Sequence, residues 1–350
     1  MEALRQLKDF TDDELLAWLA AHGQPSYRGR QIHEWLYRHW AVSFDEMLNL
    51  PKALRQELAA EFLPFALVPA ETLQAVDGTR KFLFTLADGE RIETVLIPAD
   101  ERQTVCISTQ VGCAVRCAFC ASGGTGLIRD LVPAEIVDQV IYACHELGTR
   151  VNNVVVMGMG EPLLNLENLV QALEWVCGPE GLGVGVRHVT ISTSGIVPGI
   201  LRLAELGRQW ELALSLHATS DVKRARLIPG PTRYPLAEIL AACDTHRERT
   251  GRMTTFEYVL LAEVNDSAAD MAELANLARA HRAKINLIAC NPGSSRYRAP
   301  DAAAVKRCLQ DLTRNGARAT LRQSKGEDIR AACGQLRRRQ DGTGDVSEEG

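Results

Sequence analysis

Cys113, Cys117 and Cys120 have the spacing C-x3-C-x2-C, with Phe119 before the last of them. Thiolates are soft anionic ligands that suit iron–sulfur clusters. Three on one short loop can hold three corners of a 4Fe–4S cubane and leave its fourth iron open. An open iron can chelate the amino and carboxylate groups of S-adenosylmethionine (SAM) and pass one electron to its sulfonium, giving methionine and a 5′-deoxyadenosyl radical. The rival readings are a zinc site and a buried structural trio. Zinc would need a fourth ligand, and the sequence has no second cysteine knuckle and no histidine near the triplet.

Other polar clusters follow strand-like runs. They are Gly158-Met159-Gly160-Glu161-Pro162, Ser192-Thr193-Ser194-Gly195, Ser215-Leu216-His217 and Asn291-Pro292. Glycines after an apolar strand let backbone approach a cofactor, and Glu161 offers a carboxylate to an ammonium. Taken alone, His217 reads as a hydrogen-bonded core histidine. Cys106 and Cys333 read as core thiols, although Gly334 and flanking charges suggest that Cys333 is exposed near a loop, where neighbouring arginines favour a nucleophile. Glu93 reads as the outward-facing residue of an alternating strand.

These residues need elements to position them. Residues 1–65 carry helical spacing, as in Leu15, Leu16 and Leu19 and again in Ile32, Trp35 and Leu36. Residues 66–101 turn to strands, with Asp88-Gly89 between Lys81–Leu86 and Arg91–Ile97 predicting a β-hairpin. From about 102, strand-like runs at 104–109, 153–157, 188–192, 211–217, 255–261 and 284–289 alternate with helical patterns at 133–148, 165–177, 197–207, 235–249, 267–281 and 301–315. That rhythm predicts an α/β fold of parallel units, either an incomplete (β/α)6 barrel or a doubly wound sheet. Both bind ligands at the carboxyl edge of the strands, where the polar clusters fall.

Composition narrows the class. The chain has 350 residues, 46% hydrophobic and 24% charged, as ordinary globular proteins do. No apolar run reaches the roughly 20 residues that span a bilayer, and the acidic, amphipathic start is unlike a signal peptide. A cytoplasmic location without membrane contact is expected. Ten clustered cysteines in such a chain point to metal or thiol chemistry, not a disulfide framework. Cys144, Cys177, Cys243, Cys290 and Cys308 read as small buried hydrophobes. The net charge is −5, yet Val305–Gln340 holds ten Lys/Arg against three Asp/Glu, a local +7 that suits phosphates or a solvated helix equally. Arg314, Arg318, Arg322, Lys325, Arg330 and Arg337–Arg339 lie in that stretch, with Lys223, Arg224 and Arg226 as further candidates. Arg28, Arg30 and Arg38 stand on the acidic N-terminal helices. Residues 337–350 read as a basic, then acidic, tail without fixed structure.

The triplet resembles the signature of the radical-SAM superfamily. Further motifs at Ser108–Cys113, Met157–Asn165, Val189–Gly195, Leu214–Ala218, Lys284–Ile288 and Gly326–Leu336 resemble the RlmN/Cfr family of RNA adenine methyltransferases, over about residues 10–336. The resemblance implies a partial radical-SAM barrel over 102–336, a helical RNA-docking unit over 1–65 and a hairpin extension carrying Glu93. It also implies one 4Fe–4S cluster on Cys113, Cys117 and Cys120, and SAM contacts from Gly160, Glu161, Ser192, Ser215, Leu216, His217 and Asn291. The resemblance further implies two SAM per turnover. Cys333 is implied as the thiol that one SAM methylates, Cys106 as the resolving thiol that forms a transient disulfide with it, and Glu93 as the proton acceptor. Implied partners are 23S rRNA, tRNA and an electron donor such as a flavodoxin system, with the enzyme a monomer. Overall likeness favours the carbon-2 branch over the carbon-8 branch. A radical-SAM enzyme on a small molecule or peptide, and a zinc-stabilised RNA-binding protein, are the alternatives.

Overall fold

The computed structural model describes residues 4–99, 102–124, 126–230, 234–291 and 297–336. The N-terminal helices are α1 (Asp12–Ala21), α2 (Tyr27–Tyr37) and α3 (Lys52–Glu61), closed by a two-strand ladder of β1 (Arg5–Gln6) and β2 (Phe62–Leu63). Thr11 and Glu14 form a capping box that starts α1. Leu19, Ile32, Leu36, Leu54 and Leu58 bury the apolar faces. Several contacts dock this unit on the rest, among them an ion pair and a ring stack. Lys8 Nζ lies 2.7 Å from Asp138 Oδ1 with both side chains buried, and Tyr37 stacks on Trp175 with centroids 4.5 Å apart.

The remaining strands are β3 (Val68–Gln74), β4 (Arg80–Thr85), β5 (Arg91–Ala99), β6 (Arg102–Cys106), β7 (Gln110–Gly112), β8 (Leu127–Asp130), β9 (Asn153–Val156), β10 (Val189–Thr193), β11 (Glu211–Ser215), β12 (Thr255–Leu260), β13 (Lys284–Ala289) and β14 (Ala319–Arg322). All but β7 and β8 form one ten-stranded sheet in the order β14-β13-β12-β11-β10-β9-β6-β5-β4-β3. Pairs from β6 to β14 are parallel, joined by crossovers that carry α4 (Pro133–Leu147), α5 (Leu166–Cys177), α6 (Val197–Leu206), α7 (Asp221–Leu227), α8 (Leu236–Thr250), α9 (Ala268–Ala280) and α10 (Ala302–Arg314). Runs such as Asn153-Val-Val-Val156 suit strands covered on both faces. Among the described residues no helix is long and apolar enough to cross a membrane.

The six strands and six helices of the expected barrel are present, with three differences. The hairpin is not appended to the barrel. It is part of an antiparallel meander, β3 to β6, continuous with the sheet through the Val95↔Cys106 pairing. A seventh parallel strand, β14, joins β13; its four residues, two of them exposed, lack the apolar run that marks a central strand. Beside the cysteine loop, β7 and β8 pair as a small antiparallel clamp. One contiguous core runs from Leu7 to Leu336. A satellite core of Val115, Ala218, Leu227, Ile228, Leu261 and Cys290 packs beneath Cys113, Cys117 and Phe119. The tail at 337–350 and Pro292 lie outside the described residues.

Candidate active site

The cysteine loop lies between β7 and β8, and its fold is set locally. Arg116 takes a left-handed φ of 54°, and a Cβ on Gly123 would come within 2.7 Å of the Arg116 Cα. The loop therefore doubles back on itself with glycine at the contact. Ala118 N donates to Leu227 O, so α7 supports the loop from below. Cys113, Cys117 and Cys120 all line one cavity. Burial pushes the Cys113 thiol up to about 12 and raises those of Cys117 and Cys120 as well; the Cys120 sulfur adds to the rise at Cys113 and Cys117, and the Cys333 sulfur to that at Cys120. Such thiols become thiolates when cationic metal neutralises them. Among the described residues no three His, Cys, Asp or Glu gather closely enough for a single metal ion. A cubane gives each thiolate its own iron, so three sulfurs ringing a shared cavity fit it.

The same cavity is walled by the strand ends. Gly160, Glu161, Ser192, Ser215, His217 and Asn291 line it, with Val259, Ile288 and Ala289 as apolar wall. Leu216 does not: its side chain is buried in the core, and its N–H donates to Glu257 O. The glycines serve packing more than cofactor approach. A Cβ on Gly158 would meet Ser108 Oγ at 2.6 Å, and one on Gly160, whose φ is 109°, would meet Gln110 Cβ at 2.7 Å. Glu161 is also more committed than its sequence context suggests. Its Oε1 accepts from Leu163 N and Thr193 Oγ1 and its Oε2 from Ser194 N, which leaves about one acceptor site for a ligand ammonium.

His217 sits at a left-handed φ of 54°, and its carbonyl accepts from Asn265 Nδ2. Its Nδ1 accepts from Val259 N at 3.0 Å, which puts the ring proton on Nε2. Burial pushes the imidazole down to about 3, so it is neutral. The ring packs edge-on to Phe119 with centroids 4.8 Å apart, tying the aromatic of the cysteine motif to the cofactor wall.

Cys333 and Gly334 line this cavity and also a second one, whose wall includes Cys106, Ile97, Thr104 and Lys325. The segment carrying Cys333 is strapped at both ends. On the meander side, Val76 N donates to Asp328 Oδ2, Gly326 N to Asp77 Oδ2 and Lys81 Nζ to Arg330 O. On the cysteine-loop side, Ala121 N donates to Gly334 O, Ser122 Oγ to Leu336 O and Asn291 Nδ2 to Cys333 O. Cys106 is buried, and its thiol is pushed up to about 12, first by desolvation and then by the nearby Cys333 sulfur.

Glu93 departs from the outward-facing reading. It is 1% exposed and pairs with Lys81 at 3.0 Å between Nζ and Oε1. It shares a face of β5 with Ile97, which lines the second cavity, but does not itself line either cavity described here. Ser108 Oγ donates to Glu93 O and accepts from Met159 N, linking β5 to the Gly158–Gly160 loop.

The basic candidates separate. Arg224 is buried and donates to the carbonyls of Ser194 and Ser215, so it braces two loops of the cavity wall and is not available to RNA phosphate. Lys223 pairs with Asp270. Arg322 lines both cavities and donates to Met157 Sδ; its guanidinium is held above its ordinary value, first by the Cys333 sulfur. The β14 register, which the sequence does not signal, turns Arg322 inward. Glu257 also lines the cofactor cavity, its only advance sign being a lone charge inside the apolar run Phe256–Leu261. Arg337–Arg339 lie outside the described residues.

Comparison with known proteins gives concordant results. Residues 107–275 match the Radical SAM superfamily, and residues 5–63 match the ribosomal RNA large subunit methyltransferase N-terminal domain. The dual-specificity RNA methyltransferase RlmN of Desulfosudis oleivorans is 45% identical over 338 residues, 95% of this chain and 90% of the relative. Its counterpart in Syntrophotalea carbinolica is 46% identical over 335 residues, 95% of this chain and 89% of the relative. The crystal structure of a radical SAM methyltransferase from Sphaerobacter thermophilus superposes with a TM-score of 0.91 at 47% identity, covering 95% of this chain and 99% of that one.

Proposed function

Because the chain belongs to the RlmN family of radical-SAM RNA methyltransferases, we propose that it methylates carbon 2 of adenosine in 23S rRNA and in tRNA. Carbon 2 of adenine is electron-poor, so it does not attack the sulfonium methyl directly. Cys113, Cys117 and Cys120 would hold a 4Fe–4S cluster, which would supply the electron for reductive cleavage of SAM to a 5′-deoxyadenosyl radical. The protein's own thiols do the rest.

The Cys333 thiolate attacks the methyl group of one SAM, displaces S-adenosylhomocysteine and becomes S-methylcysteine. After a second SAM is cleaved, that methyl gives up a hydrogen atom to the deoxyadenosyl radical, and the resulting methylene adds to carbon 2. The ring radical so formed gives one electron back to the redox centre that SAM cleavage left oxidised, and Glu93, held by Lys81, takes the ring proton. The Cys106 thiolate then attacks the Cys333 sulfur, forming a disulfide and expelling the methylene carbon, which takes up a solvent proton to complete the methyl group on RNA, and an external two-electron reductant restores both thiols. Electrons arrive from a donor such as a flavodoxin system, and the enzyme works as a cytoplasmic monomer. The helical unit at residues 1–65 serves as the RNA-docking domain, residues 66–101 carry the proton acceptor and residues 102–336 form the radical-SAM unit.

One observation carries this reading: Cys333 stands on the wall common to the cofactor cavity and the cavity of Cys106. A thiol that collects a methyl on one side and surrenders its sulfur to a second thiol on the other needs that position. Nucleoside mass spectrometry of unmodified rRNA fragments and tRNA, treated with reconstituted protein, SAM and reductant, tests the proposal. 2-Methyladenosine is expected; 8-methyladenosine would move the chain to the carbon-8 reaction, and unmodified RNA would overturn the reading.

A further inference from the structure

Four adjacent parallel strands place polar residues in register, Ser215↔Glu257↔Asn286↔Thr320. Register partners in neighbouring strands project to the same face. Asn286 Nδ2 donates to Glu257 Oε1 at 3.0 Å, and Thr320 Oγ1 donates to Asn286 Oδ1 at 2.6 Å. At the other end, Ser215 Oγ lies 3.3 Å from Ser192 Oγ. This forms a polar layer one step deeper along the strands than Val259 and Ile288, with Ser192, Ser215 and Glu257 reaching the cofactor cavity and Asn286 and Thr320 behind them. Its central group is incomplete. Glu257 is 4% exposed and lines the cavity, yet its Oε2 is buried with no hydrogen-bond partner among the described residues.

An orphaned carboxylate oxygen in a core costs stability, and such groups persist where a ligand completes them. Burial pushes the Glu257 carboxyl up, and Arg322 offsets part of that rise. The missing partner must be a donor. SAM offers its ammonium, its adenine amine and its ribose hydroxyls. The ammonium end is occupied at the cluster and Glu161, on the β9 side, while Glu257 lies three strands away on β12. Val259, Ile288 and Ala289 suit the flat adenine ring. The ribose then falls beside the hydroxyls of Ser192 and Ser215 and above Glu257.

We propose that Glu257 is the deep anchor of the adenosyl ribose, its Oε2 accepting hydrogen bonds from the vicinal hydroxyls while Asn286, itself fixed by Thr320, holds its Oε1 in place. Glu257 thereby selects a ribonucleoside cofactor and fixes the 5′-carbon relative to Cys333. This rests on the SAM-binding reading above.

The test is binding, read apart from turnover. SAM and its 2′-deoxy and 3′-deoxy analogues are titrated by calorimetry into the cluster-reconstituted full chain, as wild type, Glu257→Gln and Glu257→Asp. In Glu257→Gln the amide oxygen stays with Asn286 and the amide N–H2 faces the diol, so the hydroxyls lose their charged acceptor and can only accept from a neutral amide. Wild type should prefer SAM over each deoxy analogue by about tenfold or more, the scale of one hydrogen bond to a charged group. Glu257→Gln should bind SAM about tenfold more weakly and lose that preference, and Glu257→Asp should fall between. Without ligand, Glu257→Gln should melt at or above the wild-type temperature, because it removes a buried charge. Wild-type affinity with intact diol preference in both variants would overturn the inference, as would an affinity loss accompanied by a lower melting temperature. If wild type binds no SAM, the cofactor reading itself fails, and this inference with it.

Discussion

Lys81→Met tests the burial of the implied base most sharply. Lys81 Nζ and Glu93 Oε1 are 3.0 Å apart, and the two side chains are 3% and 1% exposed. Removing the ammonium takes the close ion-pair partner from a carboxylate that is buried from water. Breaking a buried pair by deleting one partner costs about 3–5 kcal/mol. The lost bond from Lys81 Nζ to Arg330 O, 3.1 Å long, adds about 1 kcal/mol. Urea unfolding followed by tryptophan fluorescence should therefore show Lys81→Met less stable by about 4–6 kcal/mol. The double variant Lys81→Met/Glu93→Gln leaves no charge behind and should regain about 1–3 kcal/mol of that loss. A single variant within about 1 kcal/mol of wild type, with no recovery in the double, would mean that the pair is hydrated and refute the reasoning.

Three further outcomes follow from the site. His217 is neutral and held at about 3, whereas an unfolded histidine titrates near 6.5. The unfolded chain therefore binds more protons between those values, and the stability from burying His217 is complete above pH 6.5 and drains away toward 3. About 2 kcal/mol is lost by pH 5, so His217→Gln should flatten the fall in melting temperature from pH 7.5 to 5. The Cys106 thiol, at about 12, is almost wholly protonated at neutral pH. Release of the protein–RNA adduct in a single turnover should speed up about tenfold per pH unit between 7 and 9, and Cys106→Ala should accumulate adduct on denaturing gels. A rate flat in pH would remove Cys106 thiolate from that step. Arg224→Gln unbraces Ser194 and Ser215, so it should weaken SAM binding in calorimetry and leave the salt slope of RNA binding unchanged.

Much of the scaffold was legible because it repeats. Each crossover pairs an apolar run with a 3.6-residue period, so six strands and six helices could be located to within a few residues. The polar clusters were legible because parallel units deliver ligands at one edge, and most of them do line a single cavity. What escaped the sequence depends on which surfaces cover which. Alternation along Arg91–Ile97 shows that Glu93 and Ile97 share a face but not that the face is buried, which Lys81 on the paired strand decides. Arg224 on the seven-residue α7 reads as surface charge until its carbonyl acceptors are known. Arg322 carries the same ambiguity, since β14 is too short and too basic to announce itself as a strand. Glu161 was legible as a cofactor-loop carboxylate, whereas its three protein donors come from two segments whose approach only the fold reveals.

The central claim is that Cys333 carries the methyl group from SAM to RNA. It is tested most directly by supplying SAM with a trideuterated methyl to reconstituted protein, then following the label by mass spectrometry in the Cys333 peptide and in RNA nucleosides. The label should first appear on the Cys333 peptide, leave it when RNA and reductant are added, and reach adenosine with two of its three deuterons. Methyladenosine carrying all three deuterons, made by protein whose Cys333 peptide never acquires label, would contradict the account.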